Sequence, residues 1–464
     1  MRYLALGNTR EIGGSCHYIN LNGVGVVLDA GVDPEQEGRP SLPEFRHIRH
    51  RAERPVDHII ISHAHHDHMG SLPVLAAENP HAGIHMTPPT RHLAELLLPA
   101  SARLQRRKLY EGSTTEQPLF DVETAEALSY LYEEHELEED FALASRRGEV
   151  IGRFYHAGHT LGSAGVYLES ERDGKPFRVF YTSDTHVQAQ TILPAGEYPD
   201  APLDVLLLET TLGADEVAET TTRGEQETLL GEGIARVLAR GGSVLVPAFA
   251  LGRAQEVLAL IERYKEQGII PAETPVYTAG QMRAVAELFD RTRLSSPRLD
   301  SEFEVYGVAQ VRTPRSDERL RTTLDEPCIH VASSGMLFER TLSNVLAQMM
   351  VEDERHGIFF TGYCVEHSPG AGLLEAVASG TEIVLEPSNG QVPQTIRAEV
   401  ARMRFSGHAH RQDLIKLVQR LKPRQVVLVH GETAAKDWMR EELARVLPDL
   451  TVHVPASGEE VVLE

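Results

Sequence analysis

Cysteine is nearly absent from the 464-residue sequence, which has only Cys16, Cys328 and Cys364. They lie far apart with no C-x-x-C spacing, which argues against a disulfide framework or a thiolate metal site. Any metal must then be held by histidine and carboxylate. Long apolar runs are missing too: none approaches the roughly 20 residues needed to cross a bilayer. The opening MRYLALGNTREIGGS lacks the basic, apolar and small-residue progression of a secretory leader. A cytoplasmic chain with no membrane partner is expected. Positive charge is scarce, 45 Lys and Arg against 68 Asp and Glu, for a formal charge of −23. Phosphate-binding proteins normally carry a basic footprint, so this balance weakens the case for a long polyanionic substrate. Carboxylates that hold cations are neutralised by them, which accounts for part of the excess. The acidic positions Glu133, Glu134, Glu136, Glu138, Glu139 and Asp140 are expected on solvated helix faces, as are Arg103 to Lys108 and Arg146 with Arg147. Apolar and charged contents of 41% and 24% are those of a globular protein, and the length implies two domains.

What the sequence has in abundance is histidine in one place. Ser62 to Gly70 reads SHAHHDHMG, with four histidines and one aspartate in six consecutive positions, directly after the apolar run Ile59, Ile60, Ile61. That run predicts a buried strand. Imidazole and carboxylate are the ligands zinc takes when thiolate is absent, and alternation along an extended segment sends His63 and His65 to the same side. Asp67 and His68 then turn toward a second point. A single tetrahedral ion could not use all four side chains and keep a position open for water, so two neighbouring metals suit the layout better than one. His66, in the variable position, is expected to be an ordinary solvated residue.

Other polar residues stand at strand ends. Residues 17 to 31 predict a hairpin about Asn22-Gly23, and Asp29 closes its second strand, either as a turn residue or to orient a metal-binding imidazole. Residues 90 to 147 carry helical spacing with a polar break at 112 to 117. Strand character returns at Val150 to Tyr155 and leads to His159 in AGHTLGSA, placed to deliver a third ligand to the first metal. The strand Phe177 to Tyr181 leads to Asp184, whose two oxygens suit two different ions. Leu203 to Leu208 is a buried strand ending at Glu209. From there strands and helices alternate to about residue 390, which implies a parallel sheet with helices on it. Thr381 to Leu385 reads as a strand of that series and Ser368 to Gly372 as a loop. Ser333, Ser334 and Gly335 follow the strand Cys328 to Ala332, before a helix expected from about Phe338. They are either an anion-binding turn or an ordinary helix cap. Thr395 to Phe405 is a strand leading to SGHAH, and Val426 to Val429 a strand ending in HGE. Trp438, the only tryptophan, falls in the last helix and is expected in the core.

The HxHxDH block, Asp29, His159, Asp184, Glu209, PAFALGRAQE from Pro247, SSGM from Ser333, FSGHAH around His408 and VHGE around His430 together resemble the beta-CASP family of the metallo-beta-lactamase superfamily. The resemblance covers nearly the whole chain and is to the RNA-processing nucleases related to the cleavage and polyadenylation endonuclease and its bacterial counterparts. It implies an α/β fold: a metallo-beta-lactamase αββα sandwich, residues 1–208 and 391–464, with an inserted α/β beta-CASP cap, residues 209–390. It further implies two Zn2+ per chain, one held by His63, His65, His159 and Asp184, the other by Asp67, His68, Asp184 and His430. Asp29 would orient a ligand, Asp67, Asp184, Glu209 and His408 would be catalytic with His408 as general acid, and Ser333, Ser334 and Gly335 would hold a substrate phosphate. The activity implied is a ribonuclease acting on single-stranded RNA and leaving 5′-phosphate and 3′-hydroxyl ends, with a homodimer as the assembly considered. The alternatives are a DNA-end nuclease, against which His430 counts because that branch has valine there, a hydrolase of small esters or thioesters, and a non-catalytic scaffold. Three departures stand out: His410 where the family has a carboxylate (SGHAD), TTLGADE after Glu209, and no arginine in FTGYCVEHSPGAGL from Phe360.

Overall fold

A computed structural model describes residues 1–9, 13–49, 51–365 and 367–464, with the side chains of 218 and 389 also outside the description. The chain forms two compact units. The first comprises Met1–Ala189, Pro194–Glu219 and His408–Glu464, and the second Gln190–Leu193 and Thr220–Gly407. These junctions lie downstream of the breaks at 208/209 and 390/391 read from the sequence. The strand Glu399–Arg402 pairs in parallel with Gly357–Phe360, which ties the stretch before His408 to the second unit.

The first unit contains two seven-stranded sheets. One runs in spatial order Glu460–Val462, Arg2–Ala5, His17–Leu21, Val24–Leu28, His58–Ile60, Gly83–Met86, Tyr132–Glu134. The other runs Thr451–His453, Gln425–Val429, Val205–Glu209, Lys175–Tyr181, Ala164–Arg172, Glu149–His156, Asp140–Ala144. Their facing sides share one core, in which Tyr3, Ile19, Val26, Leu28 and Ile60 meet Phe154, Val166, Leu168, Val179, Leu207 and Val427. The opposite side of the second sheet is covered as well. Leu206, Leu208, Val426 and Leu428 pack with Leu414, Val418 and Leu421 of the helix Arg411–Leu421, and with Met439 and Leu443 of Thr433–Val446. A strand apolar on both faces is what the uninterrupted run 203–208 required. Trp438 is half-buried at the edge of this layer, under the Arg411 guanidinium at 4.1 Å. The expected hairpin is present, and Asn22 and Gly23 both adopt positive φ, 51° and 81°, as a tight turn of this kind demands.

The second unit is built on a six-stranded parallel sheet, ordered Val311–Arg312, Val276–Thr278, Ile329–Ala332, Val244–Pro247, Gly357–Phe360, Glu399–Arg402. The alternation of strands and helices expected from residue 210 onward is thus present, but four local expectations are corrected. Helix ends at Leu128 and a short 3-10 turn, and Tyr132–Glu134 and Asp140–Ala144 are strands, so the acidic run lies on exposed strand and loop positions rather than a helix face. Phe141 and Leu143 alternate into the core between exposed neighbours, a period of two that so short a strand shows only twice. Arg146 and Arg147 are exposed on the turn that follows. Pro369–Ser379 is a helix, not a loop: Ser368 caps it by accepting from the Ala371 N–H, and proline occupies the first turn, where its missing N–H costs nothing. Thr381 to Leu385 is not a strand, as only Ile383 pairs, with Gln394. The helix after Ser333–Met336 starts at Leu342 rather than near Phe338.

All three cysteines are free and buried. Among the described residues no helix is long and apolar enough to cross a membrane.

Candidate metal centre

In the first unit, polar residues follow the carboxyl ends of parallel strands: Asp29 after Val24–Leu28, Ser62 and His63 after His58–Ile60, Asp184 after Lys175–Tyr181, and His430 after Gln425–Val429, while Glu209 is the last residue of Val205–Glu209. Open α/β sheets commonly bind ligands at this edge. His65 to His68 form a tight turn and short helix pressed onto the backbone at Gly31, where a β-carbon would come within 1.7 Å of the Asp67 carbonyl oxygen.

Four donors converge first. His65 Nδ1 lies 3.1 Å from both His63 Nε2 and His159 Nε2, and Asp184 Oδ2 lies 3.7 Å from each of those Nε2 atoms. Beside them, His68 Nε2 is 3.3 Å from Asp184 Oδ2 and 3.8 Å from Asp67 Oδ2, and His430 Nε2 is 3.4 Å from Asp67 Oδ2. Asp184 Oδ1 is 3.0 Å from His430 Nδ1, so the carboxylate faces both groups. Ligands about 2.0–2.1 Å from a tetrahedral zinc are separated by ~3.3 Å, and the observed spacings straddle that figure.

The rings are aimed by hydrogen bonds. Asp29, fully buried, accepts from the Ser62 N–H at 2.7 Å, and from the Ser62 hydroxyl, His68 Nδ1 and the Tyr181 hydroxyl at 2.8 Å each. A carboxylate only accepts, so His68 must carry its proton on Nδ1 and turn Nε2 toward Asp184, where Nε2 makes no well-formed hydrogen bond. His63 Nδ1 is braced by Ser62 Oγ at 3.1 Å and Ser183 Oγ at 3.3 Å, and His430 Nδ1 by Thr211 Oγ1 at 3.0 Å. Ser62, Ser183, Tyr181 and Thr211 were not singled out from the sequence. Their only signal there is a hydroxyl beside or near each ligand position.

Charge supports the same reading. Burial pushes the His63 pKa well below its ordinary value, leaving a neutral ring with a lone pair. Burial also disfavours charge on His68 and His430, yet Asp184 with Asp29 and Asp67 raises the first well above the ordinary value, and Asp184 and Asp67 bring the second up to about 9. Carboxylates buried together call for positive charge, and bound dications would displace those protons and supply it. The donors and the charge thus fit bound zinc.

Next to this cluster, His408 Nδ1 lies 3.1 and 3.2 Å from the two oxygens of Glu209, which is fully buried and also accepts from the Thr185 N–H at 2.8 Å. The His408 ring lies 4.6 Å from that of His159. Burial opposes its protonation, but Glu209, then Asp184, raises its pKa above the ordinary value. Asp184, Glu209 and His408 are close enough to be a cation site themselves, so spacing alone does not separate proton donor from ligand. His66 is exposed, against Ser101 Oγ at 3.2 Å, as the sequence reading expected.

Residues 9–206 match the metallo-beta-lactamase superfamily, 254–373 the Beta-Casp domain and 393–455 the Zn-dependent metallo-hydrolase RNA specificity domain. An RNase J-like protein of Methanocaldococcus jannaschii is 30% identical over 92% of this chain and 91% of its own length. The chain belongs to the beta-CASP family of the metallo-beta-lactamase superfamily. Further relatives are longer than this chain. Transcription termination factor FttA of the same archaeon is 30% identical over 93% of this chain and 67% of its own. Cleavage and polyadenylation specificity factor subunit 3 of Dictyostelium discoideum is 27% identical over 99% of this chain, which spans 57% of that protein. A crystal structure of a protein of unknown function from Enterococcus faecalis V583 shares the fold, with TM-score 0.56 at 14% identity over 100% and 99% of the two chains. This beta-CASP chain is accordingly a metallo-hydrolase.

His410, the departure beside His408, precedes the helix Arg411–Leu421 as its N-cap and makes no side-chain cap bond. A carboxylate there could accept from first-turn N–H groups of the helix. His410→Asp is expected to raise stability by about 0.5–2 kcal/mol, read as a higher denaturation midpoint. Asp29→Asn frees the His68 ring to reverse its tautomer, and zinc affinity in chelator competition is expected to fall about 10- to 100-fold.

The anion-turn expectation at Ser333 to Gly335 changes. Thr341 stands at the N-cap position of the following helix without a side-chain cap bond, and Ser334 is engaged locally, its Oγ accepting from the Phe338 N–H at 2.9 Å and its carbonyl from the Ser343 hydroxyl at 2.7 Å. These residues therefore do not stand at a helix N-terminus.

Proposed function

We propose that the chain is a two-zinc ribonuclease that hydrolyses single-stranded RNA to 5′-phosphate and 3′-hydroxyl ends. The observation that carries this reading is the convergence of His63, His65, Asp67, His68, His159, Asp184 and His430 beside a histidine paired with a buried glutamate. His63, His65, His159 and Asp184 would hold one ion, and Asp67, His68, Asp184 and His430 the other. Bound there, two zinc ions would bring the pKa of a water toward neutrality and neutralise charge on the phosphoryl oxygens.

The remaining work falls to the chain's own residues. Asp29, Ser62 and Ser183 hold the ligand rings in one orientation. Glu209 keeps His408 Nδ1 protonated and favours the imidazolium, which gives a proton to the departing 3′-oxygen as the bond from phosphorus to that oxygen breaks. Attack by water-derived oxygen needs no ribose 2′-hydroxyl, so the phosphate stays on the 5′ side of the downstream product. Ser333, Ser334 and Gly335, after the carboxyl end of Ile329–Ala332 in the second unit, would hold a substrate phosphate on the family resemblance alone, since no helix N-terminus supports them there. The names of the RNase J-like relative and of the matched RNA specificity domain favour RNA over DNA.

The test is incubation of purified protein with end-labelled single-stranded RNA and matched DNA, with and without chelator. Chelator-sensitive cleavage of RNA with 5′-phosphate products is expected. Cleavage of neither polymer, with chelator-sensitive hydrolysis of an ester, would replace this reading with a small-molecule hydrolase.

A further inference from the structure

A second group of imidazoles converges on the first sheet, sharing no residue with the centre described above. His58, His85 and Glu133 lie on three adjacent parallel strands, with Gly83 paired to His58 and His85 paired to Glu133. Paired residues and residues two apart share a face, so His58, Gly83, His85, Glu133 and His135 all project from the same side of the sheet. Gly83 keeps that side clear: a β-carbon there would come within 2.8 Å of His85 Nε2 and 3.1 Å of His58 Nδ1.

The hydrogen bonds fix which nitrogens carry protons. His58 Nε2 faces the Ala144 carbonyl at 3.1 Å, and a carbonyl only accepts, so this nitrogen bears the hydrogen. In the neutral ring His58 Nδ1 is then an acceptor, and His85 Nε2, 2.9 Å away, donates to it. His85 Nδ1 is left with a lone pair. It points at His135 Nε2, 3.0 Å away, and lies 3.7 Å from Glu133 Oε2. His85, Glu133 and His135 each offer one ligand atom, and these three lie within 4.8 Å of one another. Their two measured spacings bracket the ~3.3 Å expected between ligands of a tetrahedral zinc. The group is dry on one side and wet on the other. His85 is buried, His135 stacks on Phe141 of the second sheet with ring centres 4.0 Å apart, and the Glu133 side chain is 57% exposed. A metal-binding imidazole whose other N–H is held by a neighbour is the usual arrangement around zinc, and here His58 and the Ala144 carbonyl supply it.

We propose that His85 Nδ1, His135 Nε2 and Glu133 form a separate binding site for one divalent transition-metal ion of the zinc class, with a remaining position open to water. Two imidazoles and one carboxylate favour such an ion over magnesium or calcium, which prefer an all-oxygen shell. The site would pin the edge strand Tyr132–Glu134 to its neighbour Gly83–Met86. It takes no part in the nuclease reading, and its test is separate.

The test counts metal. Wild type, Glu133→Ala, His135→Ala and His63→Ala are equilibrated with micromolar zinc, freed of unbound ion and measured for zinc per chain, with thermal denaturation recorded with and without zinc. Glu133→Ala and His135→Ala are each expected to hold one equivalent less than wild type while retaining RNA cleavage. His63→Ala loses zinc from the main centre only, and its combination with His135→Ala is additive. Should His135→Ala fail to fold, Glu133→Ala decides alone, because its side chain is largely in solvent. Equal zinc content in wild type and Glu133→Ala would overturn the proposal and leave an imidazole chain in which His135 simply donates to His85.

Discussion

Asp184→Ala is expected to abolish RNA cleavage and to strip zinc from both halves of the main centre. Its carboxylate faces the His63 and His159 nitrogens at 3.7 Å, His68 at 3.3 Å and His430 at 3.0 Å, so it borders both groups. Losing a residue that merely orients a ligand weakens metal binding about 10- to 100-fold, and a shared ligand should exceed that. Asp184 is buried, held well below the usual carboxylate range by His430, His68 and His408 against the opposing effect of burial. Zinc measured per chain and cleavage measured in added zinc should fall together. A variant that keeps two zinc ions and full turnover would contradict the shared role.

His408→Ala should behave differently. Turnover is expected to drop by about 10² to 10⁴, the range for losing a positioned acid, while zinc content stays at the wild-type value. The sign of the pH dependence follows from the role. An acid must hold its proton, so activity is present below the His408 pKa and is lost as pH rises through it. Burial alone would lower that pKa, and the Glu209 carboxylate at 3.1 Å outweighs it. Bound cations would cancel the share contributed by Asp184, leaving Glu209 as the lasting cause. The alkaline limb of the turnover profile should therefore lie above the ordinary imidazole range, flatten in His408→Ala, and shift to lower pH in Glu209→Gln. Loss of zinc in His408→Ala would instead make His408 a ligand, the other role its distance to Asp184 and Glu209 permits.

The parts of this molecule that could be read from the sequence are those where chemistry and position coincide. His63, His159, Asp184 and His430 follow the ends of strands, and His65, Asp67 and His68 lie in the turn and short helix after the first of these, where clustered polar residues are conspicuous. The sandwich core was equally legible, since 203–208 had to be covered on both faces. Segments whose meaning depends on a distant partner were harder to read. Tyr132–Glu134 is a strand because Gly83–Met86 supplies its hydrogen bonds, while its own residues are largely acidic and exposed. Ser368-Pro369-Gly370 carries loop-forming residues, yet serine followed by proline is also how a helix begins. The bracing hydroxyls of Ser62, Ser183 and Tyr181 gain their role from contacts across more than 100 residues, such as Ser183 to Ser62 and Tyr181 to Asp29. His410 is a case in which the departure was visible but its consequence was not, because only the structure shows it at the N-cap of Arg411–Leu421.

A crystal of the zinc-loaded protein, with anomalous scattering recorded on either side of the zinc absorption edge, addresses the main centre most directly. Two peaks are predicted, one among His63, His65, His159 and Asp184 and one among Asp67, His68, Asp184 and His430, with Asp184 reaching both. A single peak, or density that leaves His430 or Asp184 out of contact, would contradict the account.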